Sequence, residues 1–298
     1  MTTLSVENPF VGNNFREQQI EINGLTIHYF ESDATEEQQQ NPPMVLLHGN
    51  GESAYDWVWV LPELASKYRV YAPDFPGAGQ SSKPDRVYST DFLTRFVLDF
   101  LNALNLEKVI LVGNSLGGLI SLRIALSDAD KVAALILVDS AGLGSEVNPL
   151  LTQMTLPLYG EAAVAWSKPT LNAKMRVWAR TALMYANPQS APKDWVTVQE
   201  KLTQTPGFLE ATLSSLRSLS SIFGQHTVLL DDLPQLSMPT LVLWGENDLI
   251  VPKYQAENAV KRIPKGQIRI IPNAGHMPQI EQPKLFLESV NQFLHQLH

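Results

Sequence analysis

Apolar and polar positions along this chain fall into short β-rich runs that alternate with stretches of helical spacing. The first two runs, Gln19–Ile22 and Thr26–Phe30, flank Asn23-Gly24, a dipeptide that favours a tight turn, so the chain is predicted to open with a β-hairpin. Residues 31 to 43 are polar, acidic and Gln-rich and end in two prolines, which predicts an exposed loop. The runs Met44–Leu47, Arg69–Ala72, Val109–Val112 and Ala134–Val138 carry apolar residues without alternation. That is the pattern of parallel strands covered on both faces by helices. Between them, Ala54–Ser66 and Thr90–Leu104 have the character of crossover helices, the second with Phe92, Phe96, Phe100 and Leu104 at helical spacing as core residues.

After Ala141-Gly142 the rhythm changes. About ninety residues pass before the next bare strand, Thr240–Trp244, and the intervening text has helical periodicity. Leu171–Tyr185 places Leu171, Met175, Trp178, Ala182 and Tyr185 on one face, and Phe208–Phe223 repeats Leu209, Leu213, Leu216 and Phe223. An inserted helical lid is expected over residues 145–231, dividing a core made of residues 1–144 and 232–298. The sheet resumes with Thr240–Trp244 and Gln267–Ile271, and an amphipathic helix, Lys284–Leu297, closes the chain.

Composition narrows the function. The 298 residues are 44% hydrophobic and 17% charged, enough for a substantial core. A net charge of −8 argues against a nucleic-acid partner. The absence of cysteine removes thiolate nucleophiles, disulfides and cysteine metal sites. Residues 1–15 contain no Lys or Arg, which predicts no signal peptide and a cytoplasmic protein, and the apolar run Val132–Val138 is far too short for a membrane span.

The segment with most chemical content is Val109–Val112 followed by Gly113-Asn114-Ser115-Leu116-Gly117-Gly118 and the helical stretch Leu119–Leu126. A strand running through Gly-x-Ser-x-Gly into a helix presents a serine on a sharp turn, where the close approach of strand and helix demands glycines two positions before and after it. Such a turn also sets Ser115 at a helix N-terminus, whose free N–H groups favour developing negative charge.

With this motif the chain resembles the α/β-hydrolase superfamily, from about Ile20 to the last helix. The resemblance implies an α/β fold with a mostly parallel eight-stranded sheet, an N-terminal antiparallel hairpin, helices on both faces and an inserted lid. Leu46-Leu47-His48-Gly49-Asn50-Gly51 is similar to the family's oxyanion loop, which would make the backbone N–H groups of Asn50 and Leu116 the oxyanion hole. In that loop His48 is expected to orient the backbone rather than transfer protons. Asp74 to Ser81 resembles a structural turn of the family. Gly245-Glu246-Asn247-Asp248 ends a strand and is similar to the acid loop, and Asn273-Ala274-Gly275-His276-Met277-Pro278 to the histidine loop. The implied triad is Ser115 as nucleophile, His276 as base and Asp248 as orienting carboxylate. Asp139 is a rival acid, since it too follows a strand and some relatives place the carboxylate there; Glu246 is a weaker candidate.

Neither metal nor cofactor is required by this chemistry. Leu143, Met154, Leu158, Tyr159, Trp166, Trp178, Met184 and Trp195 are expected to line the lid, with Trp166, Trp178 and Met277 as substrate contacts. The expected partner is a small hydrophobic acyl substrate, bound by a monomer or homodimer, and the expected reaction is carboxylic-ester hydrolysis. Three alternatives stand beside it. Carbon–carbon bond hydrolases of ring-cleavage products share the elbow and a helical lid, and Arg176 or Arg180 would suit a substrate carboxylate there. This chain departs from them in lacking a proline in the His48 loop and in carrying Met277 where an aromatic is common. A ligand-binding receptor on the same scaffold is a reading from another class. An acyltransferase would differ only in the acceptor that replaces water. Haloalkane dehalogenases and many epoxide hydrolases are similar across the core, but their nucleophile is an aspartate where this chain has Ser115.

Overall fold

The computed structural model describes residues 15–33, 35 and 38–296. The leader-free reading of residues 1–14, part of the acidic loop, and Leu297, the last residue of the expected terminal helix, lie outside them.

Strands β1 (Phe15–Ile22) and β2 (Leu25–Ser32) pair antiparallel, with Ile22 opposite Leu25. The two residues between them, Asn23 and Gly24, both take positive φ (52° and 78°), the conformation a two-residue hairpin turn needs to match strand twist. Six further strands complete the sheet: β3 (Met44–Leu47), β4 (Val70–Pro73), β5 (Val109–Asn114), β6 (Val132–Val138), β9 (Thr240–Gly245) and β10 (Gly266–Ile271). A two-stranded ribbon, β7 (Ser220–Ser221) with β8 (Gly224–Gln225), stands apart. The eight-stranded order is β1-β2-β4-β3-β5-β6-β9-β10, antiparallel at β1-β2 and β2-β4 and parallel elsewhere.

Successive side chains of the central strands feed opposite layers. Val45, Leu47, Leu111, Leu135, Leu137 and Val242 join one core, with α2 (Thr90–Ala103), α3 (Leu116–Ser127) and α9 (Tyr254–Val260). Leu46, Ile110, Val112, Ile136 and Leu243 join the other, with α1 (Leu61–Ala65) and α11 (Pro283–His295). Both faces being covered is why these strands read as unbroken apolar runs. The crossover expected over Ala54–Ser66 is a 3₁₀ turn, Ala54–Trp57, then the five-residue α1, which has Pro62 in its first turn.

Between β6 and β9 the chain forms α4 (Pro149–Thr152), α5 (Tyr159–Ser167), α6 (Thr170–Met184), α7 (Lys193–Gln204) and α8 (Phe208–Leu219). The short helix α10 (Pro278–Glu281) follows the histidine loop. The large apolar residues expected to face inward on α6 face outward: Leu171, Met175 and Trp178 are exposed, while Ala173, Val177, Thr181 and Met184 are buried. No described helix is long and apolar enough to cross a membrane.

Candidate active site

Ser115 sits between the end of β5 and the start of α3 with φ 53° and ψ −113°, a conformation an L-residue adopts only under constraint from its surroundings. Two contacts explain the flanking glycines. A Cβ on Gly113 would lie 2.2 Å from the Gly117 carbonyl oxygen, and one on Gly117 would lie 2.2 Å from that of Leu47. The Ser115 N–H donates to Val138 O (2.9 Å) and its carbonyl accepts from Ala141 N–H (3.0 Å), tying the turn to the end of β6. Leu116 opens α3, so its N–H is one of the helix's free donors.

His276 and Asp248 meet at the same sheet edge. His276 Nδ1 lies 2.8 Å from Asp248 Oδ2, and both side chains are almost wholly buried. Asp248 Oδ1 accepts from the N–H groups of Ile250 (2.7 Å) and Val251 (3.3 Å), which fix the carboxylate from behind. The histidine loop is pinned as tightly. His276 N–H donates to Met184 O (2.7 Å), Glu281 accepts from Gly275 N–H (2.7 Å) and Ala186 N–H (2.8 Å), and Asn114 Nδ2 donates to His276 O (3.1 Å). Sequence reasoning assigned nothing to Glu281 or Asn114, because their partners lie far away along the chain or in backbone groups no motif records.

The loop after β3 curls over this edge. His48 Nδ1 lies 2.8 Å from Gly49 O, and Nε2 accepts from Phe75 N–H (3.0 Å). Burial holds the imidazole below its ordinary pKa, so it stays neutral with both nitrogens occupied. That leaves it no free nitrogen for proton transfer. Asn50 is anchored through its carbonyl, which accepts from Arg180 Nη2 (2.8 Å), and through Nδ2, which donates to Thr212 O (3.3 Å). Arg180 also binds Glu52 through Nε (3.1 Å), and Glu52 takes a second donor, Gln199 Nε2 (2.6 Å).

Ser115, His276 and Asn50 line one cavity. Its walls are mainly apolar side chains of the helical insertion and the acid loop, among them Leu151, Met154, Leu183, Met184, Leu209, Leu213, Leu216 and Val251. Of the expected lining residues, Met154 and Met184 are there. The rest are elsewhere. Trp178 (72% exposed), Trp166 (48%), Leu158 and Tyr159 face solvent; Leu143 is core. Met277 is fully buried and does not line the cavity. Trp195 is fully buried, its Nε1 donating to Asp56 Oδ1 (2.9 Å), and so docks α7 onto the sheet domain. Each correction has the same cause: aromatic size signals burial or contact of some kind, but not which surface receives it. The α8 repeat Leu209, Leu213 and Leu216 was visible in the sequence and supplies much of the actual wall.

One charged group faces this apolar space uncompensated. Arg176 lines the cavity and donates to Thr203 Oγ1 (3.1 Å), but Glu52, the nearby carboxylate, is already held by Arg180 and Gln199. Burial, with Arg180 beside it, lowers the Arg176 pKa to about 9, against the pull of Glu52, so it remains a cation at neutral pH.

Comparison with known proteins places this architecture. The alpha/beta hydrolase fold family model matches residues 42–283. The chain belongs to that family. It is 30% identical over 286 residues to the 2-hydroxy-6-oxo-6-(2'-aminophenyl)hexa-2,4-dienoic acid hydrolase of Metapseudomonas resinovorans, covering 93% of this chain and 90% of that protein. Identity is also 30%, over 258 residues, to the pimeloyl-[acyl-carrier protein] methyl ester esterase of Aeromonas hydrophila, covering 86% and 96%. Among solved structures, a meta-cleavage product hydrolase from Pseudomonas fluorescens superposes with a TM-score of 0.78 at 24% identity, covering 94% of this chain and 98% of that one. Membership of the family, with hydrolases and esterases as relatives, supports a hydrolase of the α/β type.

Proposed function

We propose that this protein is a serine hydrolase that cleaves a carboxylic ester of a small, largely hydrophobic acyl substrate through an acyl-enzyme on Ser115. The observation that carries the reading is the joint placement of Ser115 and His276 on one apolar cavity, with His276 Nδ1 2.8 Å from a buried carboxylate. Ser115 Oγ attacks the acyl carbon and His276 Nε2 takes its proton. Asp248 holds the imidazole in the tautomer that leaves Nε2 free, and stabilises the imidazolium. The N–H groups of Asn50 and Leu116 receive the oxyanion, a contribution of roughly 3–4 kcal/mol per donor in comparable sites. The imidazolium gives that proton to the departing alkoxide, which leaves as the alcohol; water, deprotonated by the same imidazole, then attacks the acyl-enzyme and releases the acid as Ser115 regains its proton.

No hydrogen bond joins the Ser115 hydroxyl to the imidazole, although both line the same cavity; such catalytic contacts commonly form only as substrate tightens a site. The helical insertion acts as a lid that bounds the acyl pocket. The test is direct: purified protein is expected to hydrolyse short p-nitrophenyl esters, and full activity in Ser115→Ala would refute the nucleophile.

Arg176 supports a second reading. A guanidinium in an apolar pocket suits a substrate with an anionic end, as in carbon–carbon bond hydrolysis of a vinylogous 1,5-diketone acid. Turnover of such a diketone without turnover of simple esters would favour that branch. Absence of fluorophosphonate labelling at Ser115 would instead favour a binding protein.

A further inference from the structure

Behind the His276–Asp248 pair lies a second acid. Asp139 follows β6 with φ 43° and is completely buried. Its N–H donates to Leu243 O (3.0 Å), and its Oδ1 accepts from Gly245 N–H (2.8 Å). Its Oδ2 is buried without a partner as long as it is counted only as an acceptor. One nitrogen or oxygen from each of Asp139, Asp248 and His276 lies within 4.8 Å of the others.

Two bare carboxylates this close, shielded from water, repel strongly, so the pair holds a proton. The donors around each acid decide where it resides. Asp248 receives two backbone N–H groups and the imidazole, all of which favour its anion. Asp139 receives a single N–H. We propose that Asp139 is a positioning residue of the catalytic triad, a carboxylic acid that retains its proton and donates it from Oδ2 to the carboxylate of Asp248. The orphaned oxygen is then a donor with a partner of its own.

Burial and the neighbouring Asp248 both raise the Asp139 pKa well above the usual carboxylate range, and Glu281 adds to the rise; Gly245 N–H opposes it. The charged and titratable groups facing Asp139 are thus Asp248 and Glu281, with His276 beyond. In this arrangement Asp139 fixes the orientation of Asp248 while leaving the triad with a single negative charge. Loss of its proton at alkaline pH would set two anions against each other and displace Asp248 from the imidazole.

This inference rests on the serine-hydrolase reading only for its kinetic test; the protonation state can be read without turnover. In wild type, infrared spectroscopy is expected to show a protonated carboxyl band at neutral pH that disappears in Asp139→Asn. With an ester substrate, Asp139→Ala should lower kcat about tenfold or more with little change in KM, because a hydrogen bond to a charged group is lost. Asp139→Asn, whose amide can donate to Asp248 and still accept from Gly245, should recover most of that loss. It should also lack the alkaline decline in kcat/KM that wild type shows. Absence of the infrared band would overturn the proposal. So would an Asn variant as impaired as the Ala variant, or a loss on the order of 10⁴ in Asp139→Asn with Asp248→Asn still active, which would make Asp139 the orienting anion. If no ester is turned over but the band is present, the hydrolase reading fails and the shared proton stands.

Discussion

A serine held at φ 53° between two glycines that admit no Cβ is a costly local conformation, and the neighbouring groups that enforce it aim one hydroxyl into an apolar cavity. Arg176 gives that cavity a polarity no aliphatic residue supplies. Replacing it with Met is expected to raise KM for a carboxylate-bearing ester about 10- to 100-fold, the worth of a charge-assisted hydrogen bond, and to leave a neutral ester of the same size unaffected. Steady-state kinetics on the matched pair checks this; equal effects on both esters would remove Arg176 from substrate recognition. The proposed triad and oxyanion residues stood out in the sequence because the loops that carry them, each beside glycines or a strand end, resemble those of the α/β-hydrolase family. Glu52, Asn114 and Glu281 were not, since their work depends on partners such as Arg180, 128 positions away from Glu52. Trp166, Trp178 and Met277 were misplaced as substrate contacts because residue type alone carries no direction.

At the scale of elements, α6 shows why periodicity can name a helix and mistake its inner face. The large residues Leu171, Met175 and Trp178 stand out in the text, yet small Ala173 and Thr181 give the closer approach and are buried with Val177 and Met184. The neighbouring positions Arg176, Arg180 and Leu183 turn to the cavity. Two substitutions on this helix should therefore differ sharply. Trp178→Ser on the outer face is expected to change stability by no more than about 0.5 kcal/mol. Arg180→Ala leaves the wholly buried Glu52 without its guanidinium, and should destabilise the fold by about 3 kcal/mol or more. Denaturant titration of both variants measures the contrast. The helix boundaries themselves fell within a residue or two of the sequence reading, Thr170–Met184 against Leu171–Tyr185, since Pro169 and the Asn187-Pro188 pair bracket the segment.

For the molecule as a whole, the opening hairpin and the buried parallel strands follow from patterns present in the sequence, Asn23-Gly24 between two β-rich runs and then apolar runs separated by helical stretches, whereas the order of the strands across the sheet does not. The net negative charge was equally plain, but buried charge was not. His28, from β2, lies 2.8 Å from Asp74 Oδ2, with Glu17 Oε2 at 3.6 Å, and this cluster joins the hairpin to the turn after β4. Burial opposes charging His28, but Asp74 and Glu17 outweigh it and raise the pKa to about 9. Burial likewise opposes ionising Asp74, and His28, with further donors, lowers its pKa to about 2. The raised histidine contributes stability that is complete below about pH 6.5 and fades as pH rises through about 9. The depressed carboxylate contributes above about pH 3.8, with loss as pH falls through about 2. Melting temperature is thus expected to decline on the alkaline side between these histidine values, and His28→Gln should flatten that decline; an unchanged slope would place the dependence elsewhere.

The most direct test of a nucleophile activated by its imidazole is covalent. Intact-protein and peptide mass spectrometry after fluorophosphonate treatment should find one adduct per native chain, on Ser115, forming orders of magnitude more slowly in His276→Ala. An adduct on another residue, or equal labelling rates in wild type and His276→Ala, would contradict the account.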